Sequence, residues 1–400
     1  MADWSCGVPN ELLCSIFQSL CFLDYRRCHA VCANWNFVAK TCRFRHSRQS
    51  PWLMLPRSKS DNQDGTCCFY DLANRLEFKI PLPPSTPNWR HCVGSSHGWL
   101  FIVDDLCELS MLNPLTGACF PLPSITTFPD VEAVLEPSSS RILSYRFSYA
   151  PMDKYDEYKL EEVVEYNYYE RATVGWTSDS SYVVMVVHSI YEGISYARST
   201  DTSWHPMETK TRDFEYIAFH DNLFYGISHT QHNGLLEIFE PSYNPPTMIK
   251  RITLSTPPQR VLSLYPECAF KRYVANLFGE LFQVDRVFCW KYMGHEYRTC
   301  AFEVYKLDND QQTWLNVKSI GDYSFFVGDN DVIVISAIDF PSIKGNCIYY
   351  TDDYHAGVYC HQETSRDLGV FSLEDGKITS YYDKSSELTY PAPIWTVPEL

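Results

Sequence analysis

No stretch of this 400-residue chain approaches the roughly eighteen uninterrupted apolar residues that a membrane-crossing helix needs. The first residues, MADWSCGVPNELL, have neither the basic start nor the apolar run of a signal peptide. No Asn-x-Ser/Thr acceptor occurs anywhere, so nothing marks the chain for glycosylation on a secretory route. Enzyme signatures are missing as well: there is no Gly-x-Gly-x-x-Gly, no Walker loop and no His-Glu-x-x-His. Basic charge is scarce beyond the first fifty residues. The chain holds 33 Lys and Arg against 49 Asp and Glu; residues 1–50 take six and three of them, which leaves 27 against 46, a net of −19, in the rest. A body so acidic repels phosphate backbones, which argues against nucleic acid as a partner. Cysteine is not among the absences. The 16 cysteines are dispersed along a long chain instead of packed into a small scaffold, which predicts thiols in a reducing compartment, the nucleus or the cytoplasm.

What is present begins at residue 8. Val8-Pro9 opens a helical pattern, and a proline at the first helical position loses no needed N–H. Leu12, Ile16 and Leu20 fall four apart with Leu13 and Phe17 beside them, one broad apolar stripe. Asp24 stands where a second helix would be capped, and Val31, Trp35 and Val38 repeat at helical spacing across a third. Helices this short are marginal alone, so the stripe must pack against something.

The run Pro9, Glu11, Leu12, Leu13, Ile16, Phe17, Leu20, Leu23, Asp24, Arg26, Arg27, Val31, Cys32 and Trp35 resembles an F-box. Val8 stands where the family has Leu, and the usual proline before Asp24 is missing, a departure at the start of the second helix. The resemblance implies a three-helix module over residues 1–48 that docks on the small adaptor subunit of an SCF-type ubiquitin ligase. Pro9, Glu11, Leu12, Leu13, Ile16, Phe17, Leu20, Val31 and Trp35 would be its adaptor-binding residues, and a cullin and a RING subunit would follow through the adaptor.

After residue 50 the period changes from helical to alternating. Hairpins are predicted over 67–80, 108–122, 194–207, 235–254, 301–317 and 369–382, turning at Ala73-Asn74, Asn113 to Gly117, Thr200-Asp201, a Pro-rich segment, Asp308 to Asp310 and Asp375-Gly376. Two more are predicted over 216–228 at Asp221-Asn222 and over 273–284 at Gly279-Glu280. Turn centres spaced by about 42 residues, or by multiples stretched by insertions, match the four-stranded repeat of a β-propeller. The fold class expected for residues 49–400 is therefore an all-β propeller of six blades, or seven if 141–176 holds another. A pair of β-sandwiches would also give short regular strands, but no linker breaks the region. Pro51 to Pro56 and Ile394 to Pro398 are short, apolar and strand-like at its two extremes, which makes them the predicted closing pair.

His97-Gly98-Trp99-Leu100, the Asn113 to Gly117 turn, Gly345 to Asp353 (GNCIYYTDD) and Pro391 to Trp395, with PWLMLP at 51–56, are similar to the plant F-box proteins that carry the domain of unknown function 295. That resemblance runs from about residue 50 to 398. It implies an architecture and a substrate-receptor role, and it names no substrate.

Four further features stand out. The acidic segment 153–170, seven acids against two lysines, reads as a solvated insertion, or as a surface for a basic partner with Tyr155, Tyr158, Tyr166, Tyr168 and Tyr169 adding contact area. Gly193 to Ala197 echoes a nucleophile elbow around Ser195, but inside a predicted hairpin. Cys28, His29 and Cys32 lack a second ligand pair, so packing is the better reading. Asp352, Asp353, His355, Cys360 and His361 form the densest polar cluster, read as a loop before a metal site. No catalytic residue, cofactor or metal is expected. The alternatives to a substrate receptor are a propeller enzyme and an adaptor-bound scaffold.

Overall fold

The computed structural model describes residues 8–18, 20, 22–42, 50–56, 65–139, 141–149, 154–165, 168–177, 181–188, 193–209, 211, 213–228, 234–256, 261, 263, 268–291, 296–353, 367–384, 388, 391–397 and 399. Three short helices lead: α1 (Asn10–Phe17), α2 (Phe22–Cys28) and α3 (Ala33–Thr41). From Trp52 onward the described chain is mostly strands and turns.

Six sheets share one plan, an innermost strand followed outward by its neighbours, all joined antiparallel in five of them. Sheet I is Ile394–Thr396, Trp52–Met54, Thr66–Asp71 and Leu76–Pro81. Sheet II is Trp89–Ser96, Trp99–Asp104, Leu109–Leu112 and Cys119–Pro121. Sheet III holds Tyr169–Trp176, Tyr182–His188, Gly193–Arg198 and His205–Pro206, and sheet IV holds Phe214–His220, Leu223–Ser228, Leu235–Glu240 and Thr247–Thr253. Sheet V is Cys268–Leu277, Glu280–Lys291, Glu296–Asp308 and Thr313–Val317. Sheet VI is Ile333–Ser336, Tyr323–Val327, Cys347–Tyr350, Gly369–Ser372 and Ile378–Thr379; its second and third strands run parallel.

Each predicted hairpin is present, and the outer turns share one device. Asp71 Oδ1 accepts the N–H groups of Ala73 and Asn74, Asn113 Oδ1 those of Leu115 and Thr116, and Asp308 Oδ1 those of Asp310 and Gln311. Such Asx turns let a side chain replace a backbone acceptor where the strand ends. That is why Asp or Asn recurs after the third strand of three sheets.

Innermost strands of consecutive sheets touch in chain order from I to VI. The last seam is apolar: Leu53, Tyr70 and Trp395 of sheet I cluster with Phe326, Ile335 and Tyr349 of sheet VI, and Phe326 meets Trp395 edge-on at 5.0 Å. Sheet I itself is made from both extremes of the β region. Trp52, Leu53 and Met54 pair antiparallel with Thr396, Trp395 and Ile394, as the two apolar segments predicted.

Where the innermost strands meet, the space is occupied by the chain itself. Between Tyr323–Val327 and Ile333–Ser336 the turn Gly328 to Asp331 reaches four other sheets. Arg171 of sheet III donates to the carbonyls of Gly328 (2.9 Å), Asn330 and Ile217 (2.7 Å). Asp331 donates its N–H to Ser95 O of sheet II and accepts from Thr173 Oγ1 (2.8 Å) and Phe219 N–H (3.3 Å). Asp329 lies 4.0 Å from Lys271 Nζ of sheet V.

A second buried charge joins sheets V and VI. Arg286 has no exposed surface and uses every donor: Nε to Thr299 Oγ1, Nη1 to Asp353 Oδ1 (2.8 Å) and Thr351 O, Nη2 to Asp367 O and Oδ2. Its guanidinium lies over the rings of Phe288 and Tyr350. Burial works against that charge, and Tyr273, Asp353 and Asp367 outweigh it.

Three features differ from expectation. The acidic segment is no plain loop. Val131–Leu135, Ile142–Tyr149 and Lys154–Lys159 form a three-stranded sheet beside the other six, continued by the helix α4 (Leu160–Glu165). Its inward side fills a core with Val131, Tyr145, Phe147, Val163, Tyr168 and Tyr169, so two of the five tyrosines are packing residues; Tyr166 lies outside the described residues. The strand signal was hidden because charged residues alternate with the tyrosines. Second, 141–176 supplies two strands of this side sheet and the first strand of sheet III. Third, the structure bonds Cys14 to Cys42 and Cys289 to Cys300, where thiols were expected. Packing brings their Cα atoms to 5.6 and 6.0 Å, within disulfide reach, and dispersed spacing carries no sign of that.

Two predictions follow from the packing. Deleting residues 391–400 leaves Trp52–Met54 as an open apolar edge, and the truncated chain is expected to aggregate or lose cooperative unfolding, read by light scattering and a denaturant titration. Arg286→Met strands the buried carboxylates of Asp353 and Asp367, with an expected loss of about 3–5 kcal/mol in the same titration.

Candidate adaptor-docking site

The helical module sorts its apolar residues into two faces. Pro9 is extended at φ −55° and ψ 143°, so it caps α1 from one residue before the expected position, and its carbonyl accepts from Leu12 and Leu13 N–H. Spaced four apart, close to one turn, Leu13 and Phe17 share the inward face, where they are 1% and 0% exposed. They pack with Tyr25, Cys28, Val38, Ala39 and Cys42, and this cluster runs on into Trp52, Met54 and Phe69 of sheet I. Trp35 is half-buried, with its ring 5.4 Å from that of Phe17, and Leu20 is half-buried against the same core. Tyr25 OH donates to the Ala39 carbonyl at 2.5 Å, tying α2 to α3.

The other face stays outside. Leu12 is 57% exposed, Ile16 42% and Val31 54%, with Pro9 and Glu11 exposed beside them. The nine predicted residues therefore divide: Leu13 and Phe17 shape the module from within, while Pro9, Glu11, Leu12, Ile16 and Val31 are open to a partner. Phe37 on α3, 61% exposed, adds an apolar side chain that motif matching passed over. It falls between Trp35 and Val38 and out of step with their spacing, so only its exposure reveals it. Scattered apolar residues on a surface are ordinary, and here four, Leu12, Ile16, Val31 and Phe37, are exposed within one small module.

Asp24 lies inside the first turn of α2, because that helix begins at Phe22, and it pairs with Arg27 at 2.8 Å. Cys32 caps α3 by accepting Trp35 N–H on its sulfur. His29 contacts Asn36 at 3.4 Å and the Tyr25 ring at 5.0 Å, and Cys28 is buried. The three residues thus serve separate packing roles. No group of three metal-ligating side chains occurs among the described residues.

The remaining polar candidates are also internal. Asp353 accepts from Arg286, Tyr273 OH and Lys271, and Asp352 accepts from Tyr297 OH at 2.6 Å. His355, Cys360 and His361 lie outside the described residues. Ser195 is buried mid-strand with His188 Nε2 at 2.7 Å. Burial pushes the His188 imidazole down to about 3, so it stays neutral, and His188 Nδ1 lies 3.2 Å from Tyr168 OH. A strand position with 1% exposure has none of the access that an elbow nucleophile has.

Connections alternate between two ends of an antiparallel sheet. The short turns at His97-Gly98, Asp221-Asn222 and Phe278-Gly279 share one end with the Asx turns. The chain arrives from the helices at that end, where Ser50 Oγ bonds Asp71 Oδ1 (3.2 Å), and Asn113 Nδ2 there holds Glu399 O (2.9 Å). The long connections 122–168 and 351–368 leave from the other. On the side sheet carried by the first of these, Arg146 lies between Glu132 (3.3 Å) and Glu157 (3.4 Å) and over the Tyr155 ring, and Glu162 accepts Lys159 N–H. Three of its acids are thus engaged within the sheet.

Residues 6–47 match the F-box domain, and residues 69–372 match the KIB1-4 beta-propeller family. Relatives in Arabidopsis thaliana include the F-box protein SKIP23, 23% identical over 416 residues covering 99% of this chain and 96% of the relative. F-box only protein 7 is 24% identical over 94% of this chain and 90% of its own length. The F-box/kelch-repeat protein KIB1 is 23% identical over 86% and 76%. With a propeller match across well over half its length behind an F-box, the chain belongs to the plant F-box proteins that carry a KIB1-4 beta-propeller.

Proposed function

We propose that this chain is the substrate-recognition subunit of an SCF-type ubiquitin ligase. Residues 1–48 dock on the adaptor, and residues 49–400 form a ring of six blades, sheets I to VI, that holds a protein substrate. The observation that carries the reading is the division of α1. Leu13 and Phe17 complete the module's own core, and Leu12 and Ile16 remain outside with Val31, ready for a second protein. Burying each would stabilise a complex by about 1.5–3 kcal/mol.

In this role the chain performs no chemistry. Through the adaptor a cullin and a RING subunit bring an activated ubiquitin thioester near the captured protein, and holding a lysine beside it raises effective concentration. The substrate face in this proposal is the end of the ring with the long connections, away from the helices, since binding elements concentrate in loops on a rigid scaffold. The chain would work in the nucleus or the cytoplasm. Against an enzymatic reading, the ring centre is taken by Gly328 to Asp331, bonded to sheets II, III and IV. A propeller enzyme would need open access at that place, whereas the two acids there, Asp329 and Asp331, are buried against Lys271, Thr173 and Phe219 N–H.

The double substitution Leu12→Asp, Ile16→Asp would bury unpaired carboxylates in the interface, at a cost of several kcal/mol. Recombinant adaptor is expected to be lost in a pull-down while the melting curve is unchanged. Leu13→Ala should do the reverse, lowering stability by about 2–5 kcal/mol through a core cavity. Normal adaptor recovery by the double mutant would remove the docking assignment. A substrate stabilised on depletion of the chain separates a receptor from a scaffold that ubiquitinates nothing.

A further inference from the structure

Four aromatic rings meet at the seam between sheets II and III, at the end with the short turns. Trp99 opens the second strand of sheet II just after the His97-Gly98 turn, and Phe120 lies on the outermost strand of that sheet. Trp176 closes the first strand of sheet III and pairs across to Tyr182, which opens the second. The Thr177 N–H donates to the Ser181 carbonyl (2.8 Å) and closes the turn between them. The ring centroids form a closed circuit: Trp99 to Phe120 5.3 Å, Phe120 to Tyr182 6.3 Å, Tyr182 to Trp176 5.6 Å, Trp176 to Trp99 6.2 Å. A circuit of that length fits inside a sphere of about 6 Å radius, so one point lies within cation–π reach of all four rings. Trp99 and Tyr182 are half-buried against the core of the seam, which holds them in place, whereas Phe120 (42%) and Trp176 (36%) are exposed.

The face of an aromatic ring is electron-rich and attracts a cation, most strongly for tryptophan. Elsewhere the fold supplies that cation itself. Arg146 lies over Tyr155 (4.6 Å), Arg171 over Tyr216 (4.2 Å), and Arg286 over Phe288 and Tyr350 (4.6 and 4.5 Å). Among the described residues no arginine or lysine lies over any of the quartet. Burial alone pushes the Tyr182 hydroxyl up, so no charged neighbour acts on it. A bare ammonium moved among these rings would give up its water without gaining a carboxylate there. Methyl groups on the nitrogen lower that cost and leave the charge in place. The body beyond residue 50, with 27 basic residues against 46 acidic, draws cations towards it.

We propose that Trp99, Phe120, Trp176 and Tyr182 form a binding site for a methylated ammonium group, carried on a lysine side chain of a protein or on a small quaternary amine. The site lies apart from the adaptor face and at the opposite end of the ring from the proposed substrate loops. It therefore stands whether or not the chain serves a ligase. A headgroup of so few atoms on a half-open site is expected to bind in the millimolar range.

Titration of the full chain with choline, followed by tryptophan fluorescence, tests this. Choline is expected to bind about tenfold tighter than the alcohol in which a tert-butyl group replaces its trimethylammonium. Phe120→Leu, which leaves every tryptophan in place as a reporter, should weaken choline by about threefold to tenfold. Phe120→Tyr keeps a ring and should keep binding, which separates loss of the ring from loss of the fold. An alcohol that binds as tightly as choline overturns the proposal, because the seam is then a plain apolar groove. So does a parent chain with no saturable response at about 100 mM choline, or a Phe120→Leu chain that binds choline like the parent. A short peptide containing trimethyllysine identifies the carrier: tighter binding than choline assigns a protein ligand, and weaker binding a small amine. Equal binding of its unmethylated twin overturns the preference for a methylated group.

Discussion

The pairing of Ile394–Thr396 with Trp52–Met54 is the constraint on which the body depends. Each sheet packs its faces against its neighbours, so a row of sheets left open would expose one apolar face at each end. Joining strands from the two extremes in sheet I removes both. Trp52 and Trp395 are almost fully buried as a result, and the Phe326–Trp395 contact seals the seam to sheet VI. Without that seam the turn Gly328 to Asp331 would lose the enclosure in which Arg171 and Asp331 find their partners.

Two buried arginines then set how the sheets sit. A buried ion pair is poor evidence for net stability, because removing both charges from water offsets most of their attraction. Its consequence is geometric. Arg286 is satisfied only when Thr299 of sheet V, Thr351, Asp353 and Asp367 converge on it. Arg171 likewise needs carbonyls from sheets IV and VI together. A displaced arrangement leaves a charge unpaired in the interior, at a penalty far above that of a loosened apolar contact. Apolar packing drives the ring together, and these networks exclude its near alternatives.

Asp352, Asp353, Ser195 and His188 are the groups a chemist would first examine, and each is engaged inside the fold. The large apolar side chains left exposed include Leu12, Ile16 and Val31 on the helices and Phe278 and Ile338 on the body. A receptor built this way needs shape and exposure more than reactive side chains.

Much of this was legible in the sequence. Helical spacing gave α1 and α3, period-two alternation and Asx turns gave every predicted hairpin, and the apolar runs at 52–55 and 394–397 pointed to the closing pair. These are local signals, set by which side chains suit a turn or a pleat. Other features were not legible. A stripe such as Leu12, Leu13, Ile16 and Phe17 shows that a helix is amphipathic, but only packing decides which residues complete the module's core and which remain outside. A run of acids and tyrosines at 153–170 looks like a loop until Tyr145, Phe147 and Tyr168 are seen beneath it. Asp353 reads as a ligand candidate until Arg286, distant in the chain, is found against it. Sequence alone determined the hairpins, the first and third helices, their order and the family resemblance. Burial and charge pairing depend on residues far apart along the chain, so which apolar residues close a core and which stay exposed was decided only by the tertiary structure.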